Sequence, residues 1–561
     1  MNLNRVIASP ETCMQRSLLT MVATILLVAC AAERASAPAI DGLDEATFRR
    51  HLVALSADEF AGRKPATPGE EKTVEYIRQQ FAAVGLKPGN GSTYFQSVPL
   101  VEITADPKTT LTVSSGSESR SFKYRDDMVV WTKRVVADSA LEQSELVFVG
   151  YGIVAPEYDW NDYASANIKG KTAVILINDP GFVTQDPKLF AGRAMTYHGR
   201  WTYKYEEAMR QGAAGALIIH DTEPAAYGWE VVQSGWTGPQ LDMASSDGNA
   251  GRVAIEGWIS GPTAEAIFQL AGKDLTALEA AAVRRDFKAV PLNLRASVAV
   301  HNSIRRSNSS NVVGILPGRK RPDEYMLYMA HWDHLGRSDA VTGDNIYNGA
   351  IDNGTGTAAL ITLAQAFARA KPAPQRSVVF VAVTAEESGL LGSAHYADHP
   401  LFPLERTAAV INMDALYAGG PTRDVAVIGY GSSELEDYLR DAAEKQDRVL
   451  KPEPTPERGF FYRSDHFNLA KKGVPALYFK LGTDDREHGD AWGRQQQEDF
   501  VAQRYHKPSD QYDPSLDFRG SMQDIELFYA VGSRIANEDD WPEWNRGNEF
   551  RATREASDDA R

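Results

Sequence analysis

At 561 residues the chain is too long for one ordinary hydrophobic core and implies two or more folded units. Its balance of 43% hydrophobic and 24% charged residues is that of a globular protein rather than a disordered one. A formal net charge of -16 excludes a nucleic-acid backbone as the main partner, because no basic footprint outweighs the acidic excess.

The first informative stretch is MQRSLLTMVATILLVAC, from Met14 to Cys30, with a basic Arg16, an apolar run from Leu18 to Val28 and small Ala29. That run is short for a membrane span and suits the core of a signal peptide. Its LVAC ending resembles a bacterial lipoprotein signal over residues 1–30. The resemblance implies lipidation of Cys30 and a mature chain anchored to the membrane on the extracytoplasmic, periplasmic side of the cell envelope. An ordinary secretory signal cut near Ala35 or Ala37 is the alternative. Cys13 and Cys30 are the only cysteines, so the chain beyond them has neither a disulfide nor a thiol nucleophile.

After a linker over 31–40, two helical patterns flank a Gly/Pro-rich turn. In the second, Val74, Ile77, Phe81 and Val84 recur at helical spacing and Gly85 fits a C-cap. Near Thr109 the texture changes to short strands such as TTLTVSS, ELVFVGYGIV and KTAVILIND, joined by one helix and continuing to about Val300. From SNVVGILPG onward, apolar strands alternate with amphipathic helices, which implies an α/β fold: a mixed, mostly parallel sheet sandwiched by helices. The expected organisation is a first domain part over 41–108, an inserted β-rich domain over 109–299, a second part over 300–540, and a charged, disordered tail over 541–561.

The stretch LYMAHWDHLG poses the functional question, because an apolar strand ends in His331, Asp333 and His334. Three neighbouring segments end alike: NGAIDNGTG places Asp352 before a helix, TAEES places Glu386 and Glu387 after a strand, and INMDA places Asp414 after another. Ligands of open α/β sheets bind outside the carboxyl ends of the strands, so these side chains converge. One or two histidines with several carboxylates suit zinc or a similar cation, and a carboxylate can bridge two ions. His331 and Asp333 lie two apart on a strand and point the same way, so Asp333 can take the second ring N–H of His331. Glu386 and Glu387 point apart, leaving one for metal and one for an activated water. No HExxH helix, GxSxG elbow or phosphate loop is present, and metal-assisted hydrolysis is the simplest remaining chemistry.

The motifs HWDHLG, NGAIDNGTGTAALI, TAEESGLLGSAHYA, INMDA, SDHFNLAKKGVPALYF and YHKPSD together resemble the co-catalytic zinc aminopeptidases and their glutamate carboxypeptidase relatives. The resemblance covers roughly 41–105 and 300–540. It implies two zinc ions per chain, one on His331, Asp352 and Asp414, the other on Asp352, Glu387 and His506, with Asp352 bridging. It implies Glu386 as general base, Asp333 as the brace of His331, and Tyr505 as donor to the tetrahedral intermediate; the alternative for Tyr505 is packing beneath the site. His466 is the alternative to His506, and His334 is expected in a loop near the metals. The insert resembles a protease-associated domain at LVFVGYGIVAPEYDWNDY and EEAMRQGAAGALIIHD. The implied activity is removal of N-terminal residues from peptide substrates. The alternatives are a carboxypeptidase or dipeptidase of the same family, a glutaminyl cyclase-like transferase, and a non-catalytic binding protein, which would lack the ligands or the base.

Overall fold

The computed structural model describes residues 40–116, 118–338 and 343–557, so Cys30 and the expected signal lie outside the described residues. The helix α1 (Glu45–Leu55) starts at Asp44, whose carboxylate accepts the Thr47 N–H, and α2 (Pro68–Ala83) begins with a proline where no N–H is needed. α2 buries Ile77 and Phe81, and Gly85 follows it at φ +90°, the left-handed conformation that favours glycine. β1 (Phe95–Ala105) then leads into the insert.

The insert comprises β2 (Thr110–Ser115), β3 (Glu118–Lys123), β4 (Met128–Trp131), β5 (Asp138–Phe148), β6 (Thr172–Leu176), α3 (Trp201–Arg210), β7 (Gly215–Ile219), β8 (Pro239–Met243), β9 (Ile255–Ile259) and α4 (Gly261–Leu270). β5, β6, β7 and β9 pair in parallel, and β4 closes on β9 antiparallel. The unbroken apolar runs of β6 and β7 follow from burial on both faces.

No linker separates insert from core at residue 300. β10 (Val290–Leu316) runs straight through: its first half pairs with β5 up to His301, and from Asn302 it pairs with β1 and then β12. β8 of the insert also pairs with β1, so the expected boundary falls inside one continuous strand.

The second part contains β11 (Arg321–His331), α5 (Thr355–Arg369), β12 (Arg376–Val383), α6 (Leu391–Asp398), β13 (Thr407–Asn412), β14 (Asp424–Val427), α7 (Leu435–Glu444), α8 (His466–Ala470), β15 (Ala476–Leu481), α9 (Asp490–Gln503), α10 (Arg519–Asn537) and α11 (Arg551–Glu555). Its sheet runs β10, β12, β11, β13, β15, β14; the pairs joining β12 to β11, β11 to β13 and β13 to β15 are parallel, and the flanking pairs are antiparallel. The strand period of two sends Tyr328 to one face, against Phe367 of α5 and donating its O–H to the Phe528 carbonyl of α10 at 2.6 Å. Leu327 and Met329 go to the other, where they share a core with Tyr396 of α6 and Phe467 and Leu469 of α8. Helices thus cover both faces, as the alternation of elements implied.

The tail differs from expectation over residues 541–557. Trp544 is fully buried and donates its indole N–H to the Gly473 carbonyl at 2.9 Å, with Phe550 packed on it at 5.3 Å between rings. Apolar anchors spaced through a charged segment are enough to fix it. Among the described residues, no helix is long and apolar enough to cross a membrane.

Candidate active site

Because β11, β12 and β13 are parallel neighbours, their carboxyl ends open on one edge of the sheet, and the polar residues that follow them meet there. The loop before α5 brings Asp352 between two histidines. His331 Nε2 lies 3.5 Å from Asp352 Oδ1 and 3.6 Å from Asp414 Oδ1. On the opposite side, His506 Nε2 lies 3.2 Å from Asp352 Oδ2 and 3.0 Å from Glu387 Oε2. The two oxygens of Asp352 therefore face different ligand sets, as a bridging carboxylate requires.

These ring nitrogens are buried and have no hydrogen-bond partner. Donors bound about 2.0–2.2 Å from one tetrahedral ion lie roughly 3.3 Å apart, so the observed separations leave room for a cation between them. The residue types and spacing fit two zinc-like ions. The charges agree. Burial opposes the protonated form of His331, yet the Glu386 charge and the Asp333, Asp352 and Asp414 carboxylates outweigh it and hold the ring well above its usual pKa. His506 is raised in the same way, burial being overcome by Glu387 and Asp352. Glu387 is lowered to about 2: burial pushes it up, but His506 and His334 prevail. Such a field attracts cations, whether protons or metal ions.

Glu386 differs from its neighbour. Burial raises its carboxyl well above the usual range, His331 offsets part of this, and the Asp414 and Glu387 charges add to it. The two backbone N–H groups of this turn donate to Asp333, Glu386 to Oδ1 at 3.1 Å and Glu387 to Oδ2 at 3.4 Å. Asp333 was expected to grip the His331 ring. Its Oδ1 is 3.7 Å from His331 Nδ1, while the backbone carbonyl of Asp333 is nearer at 3.2 Å. The carboxylate thus faces the His331 ring and also holds the glutamate turn, because the strand ends at His331 and the chain bends before Asp333.

His334 takes a supporting position next to a metal-facing carboxylate, as its place near the metals implied. It is buried, its Nδ1 is 2.6 Å from Glu387 Oε1, and with Asp352 and Glu387 it forms a further group able to hold metal. His466 instead packs between Phe461 and Tyr478, at 4.5 and 5.1 Å between rings, and burial lowers it to about 3. Neither His466 nor His506 is in a candidate metal group among the described residues, but only His506 approaches Asp352 and Glu387. Tyr505 stacks on His506 at 3.9 Å, and burial together with the Asp352 charge raises its hydroxyl well above its usual pKa, so it stays protonated.

Three further supports of the site were not singled out from the sequence. Asp510, the last residue of YHKPSD, accepts the Ile351 N–H at 3.1 Å and the Asp352 N–H at 3.0 Å and so fixes the bridging residue. Arg63 is buried beneath and donates to the carbonyls of Trp332, Leu55, Asn348 and Gly349, at 2.8, 2.8, 2.5 and 2.8 Å. The motif position could have flagged Asp510; Arg63 carries no local signal. Asn353 ties the two metal-facing loops, its Oδ1 accepting the Gly356 and Ala415 N–H groups. A Cβ at Gly356 would meet that oxygen at 2.3 Å, which explains the glycine.

Residues 311–529 match peptidase family M28. Aminopeptidase NAALADL1 of Mus musculus is 35% identical over 129 residues, 22% of this chain and 16% of that protein. Aminopeptidase YwaD of Bacillus subtilis is 29% identical over 210 residues, 36% of this chain and 39% of that protein. The chain thus spans less than half the length of these curated relatives. Among solved structures, the aminopeptidase from Aneurinibacillus sp. strain AM-1 is 20% identical with a TM-score of 0.49, covering 90% of this chain and 96% of its own. The zinc aminopeptidase BSAP from Bacillus subtilis is 18% identical with a TM-score of 0.42, covering 91% and 99%.

Proposed function

We propose that this chain, whose residues 311–529 match peptidase family M28, is a zinc-dependent exopeptidase that removes N-terminal residues from peptides. The observation that carries the reading is the placement of Asp352, with one oxygen toward His331 and Asp414 and the other toward His506 and Glu387. These five side chains would hold two ions, which when bound supply Lewis acidity that lowers the pKa of water and polarises a carbonyl.

The chain's own residues do the rest. Glu386, made more basic by burial and by Asp414 and Glu387, accepts the proton of the attacking water and returns it to the leaving amine. Asp333 keeps that carboxylate in place through the backbone of the turn. Tyr505, held protonated, donates to the oxygen that becomes negative as the carbonyl is attacked. The insert, a protease-associated domain in this reading, borders the cleft and limits which peptides enter.

The test is a digest of a peptide library by the zinc-loaded protein, read by mass spectrometry. Stepwise shortening from the N-terminus is expected. Shortening from the C-terminus would overturn the choice of end, and pyroglutamate formation from N-terminal glutamine without cleavage would overturn the hydrolase reading. We further propose an extracytoplasmic location with a lipid anchor at Cys30, supported by the apolar run from Leu18 to Val28 and the small Ala29 that precede it. Cys30→Ser is expected to move the protein to a soluble fraction or block its processing; unchanged membrane fractionation of a processed variant would refute the anchor.

A further inference from the structure

Two imidazoles outside the cleft come together on α6. The motif TAEESGLLGSAHYA, whose glutamates the proposed mechanism uses, runs on to His395, and His399 follows four residues later. Residues four apart share one face of a helix. Although α6 ends at Asp398, the N–H of His399 still donates to the His395 carbonyl at 2.9 Å, so the helical turn between them is closed. Their rings lie 4.6 Å apart between centroids, with 23° between planes. His399 is exposed and His395 half-buried, so the pair opens to solvent. Among the described residues, neither ring makes a hydrogen bond, and neither belongs to the groups that face Asp352.

The backbone beneath the pair is fixed at both ends of the helix. At its end, Gln96 Nε2 donates to the His399 carbonyl at 2.8 Å. At its start, Asn311 Nδ2 donates to the Gly392 carbonyl at 2.9 Å, and the Ser393 hydroxyl donates to Asp465 Oδ1 at 2.6 Å. Leu391, one turn before His395, is buried with Val98 and Leu100 of β1. Helix and rings are therefore held in register before anything binds, which lowers the entropic cost of binding. Burial first, then the His399 ring, lowers His395 from its ordinary pKa, with Asp398 restoring part of the loss. The ring is thus neutral at pH 7, the form that ligates metal. The Asp398 carboxylate pairs with Lys472 at 2.8 Å, so imidazole nitrogen and water are the donors on offer.

Two imidazoles bound side by side on one ion, each nitrogen about 2.0–2.1 Å from it, have ring centroids roughly 4.5–5.3 Å apart. The 4.6 Å separation lies at the short end of that range, where the two nitrogens subtend close to a right angle at the ion. Right-angled nitrogen sites suit nickel(II) and copper(II) better than tetrahedral zinc. We infer that His395 and His399 form a peripheral metal site on α6, separate from the cleft, that takes one divalent transition cation of the nickel and copper class. The bound ion would clip the last turn of α6, and its two protein ligands come from that helix end alone. The inference does not rest on the peptidase reading.

The experiment titrates the zinc-loaded full chain, carrying no histidine tag, with nickel(II), counting bound ions by native mass spectrometry and following the heat by calorimetry. Wild type should bind one nickel ion that His395→Gln and His399→Gln each bind at least roughly tenfold more weakly, since losing even an outer partner of a ligand costs about that much. Zinc content, unchanged in both variants, checks their folding. Nickel that displaces zinc in the cleft does so in all three proteins and cancels from the comparison. Wild type should also be retained on immobilised nickel(II) iminodiacetate, which a buried cleft histidine cannot reach, and each variant should pass through. Nickel should raise the unfolding temperature of wild type and leave that of the double variant unmoved, because the ion binds the folded helix. Equal nickel binding by wild type and both variants overturns the inference. A loss confined to one of the two variants overturns it as well, because a lone histidine would then be the ligand.

Discussion

Glu386 and Glu387 are adjacent and chemically identical, yet the proposed mechanism gives them different tasks. Glu386→Gln preserves side-chain volume, and the bond from its backbone N–H to Asp333 Oδ1 at 3.1 Å does not involve the altered atoms. Folding and metal content should therefore be unchanged. Only the proton acceptor is lost, a deficit of roughly 10²–10⁴ in rate, or about 3–5 kcal/mol of barrier. Glu387→Gln removes the anion that stands 3.0 Å from His506 Nε2 and 2.6 Å from His334 Nδ1. That weakens one ion site, so zinc per chain should fall and excess zinc should recover part of the activity. The assay pairs elemental analysis with kcat on a dipeptide across a zinc titration. Loss of zinc from Glu386→Gln with full loading of Glu387→Gln would show the assignment to be reversed. No effect on rate or zinc in either variant would refute the site altogether.

Three further outcomes follow from particular contacts. Tyr505→Phe should lower kcat roughly 10- to 100-fold with both ions retained, because its protonated hydroxyl is lost as a donor; an unchanged kcat would reduce Tyr505 to a packing role. Arg63→Met leaves four backbone carbonyls without their donor and should cost about 3–5 kcal/mol in urea unfolding, whereas a loss below about 1 kcal/mol would contradict its role. His51 is buried, and burial first, then Arg50, lowers it to about 4 from 6.5. Its neutral form thus contributes stability that is fully present above pH 6.5 and lost as pH falls toward 4, about 3 kcal/mol in all. Unfolding of wild type and His51→Asn at pH 7 and pH 4 should show that difference in slope, and parallel slopes would refute it.

The fold and three of the residues proposed as ligands were legible for the same reason: His331, Glu387 and Asp414 follow strands with clear apolar periodicity, whereas Asp352 precedes a helix and His506 follows one. His331, Glu387 and Asp414 could be placed on one edge once the strands were read as parallel. What could not be read acts through long-range contacts to backbone atoms. Arg63 bonds to residues 269 to 286 positions away as well as to nearby Leu55, and no periodicity announces such an interaction. The contacts of Met195 with Pro456 and of Arg193 with Glu457 depend on the insert folding back onto the core. The tail was misread because its charge outweighed the few aromatic residues, Trp544 and Phe550 among them, that bury it. That Asp333 also holds the glutamate turn was not legible, because it lies two residues past the strand end at His331.

The central claim is that Asp352 bridges two ions that catalysis requires. Metal-free protein titrated with zinc, with bound ions counted by native mass spectrometry and dipeptide hydrolysis measured at each step, tests it most directly. Two ions per chain with full activity reached only at the second is the predicted result. Full activity with one ion bound, or with none, would contradict it.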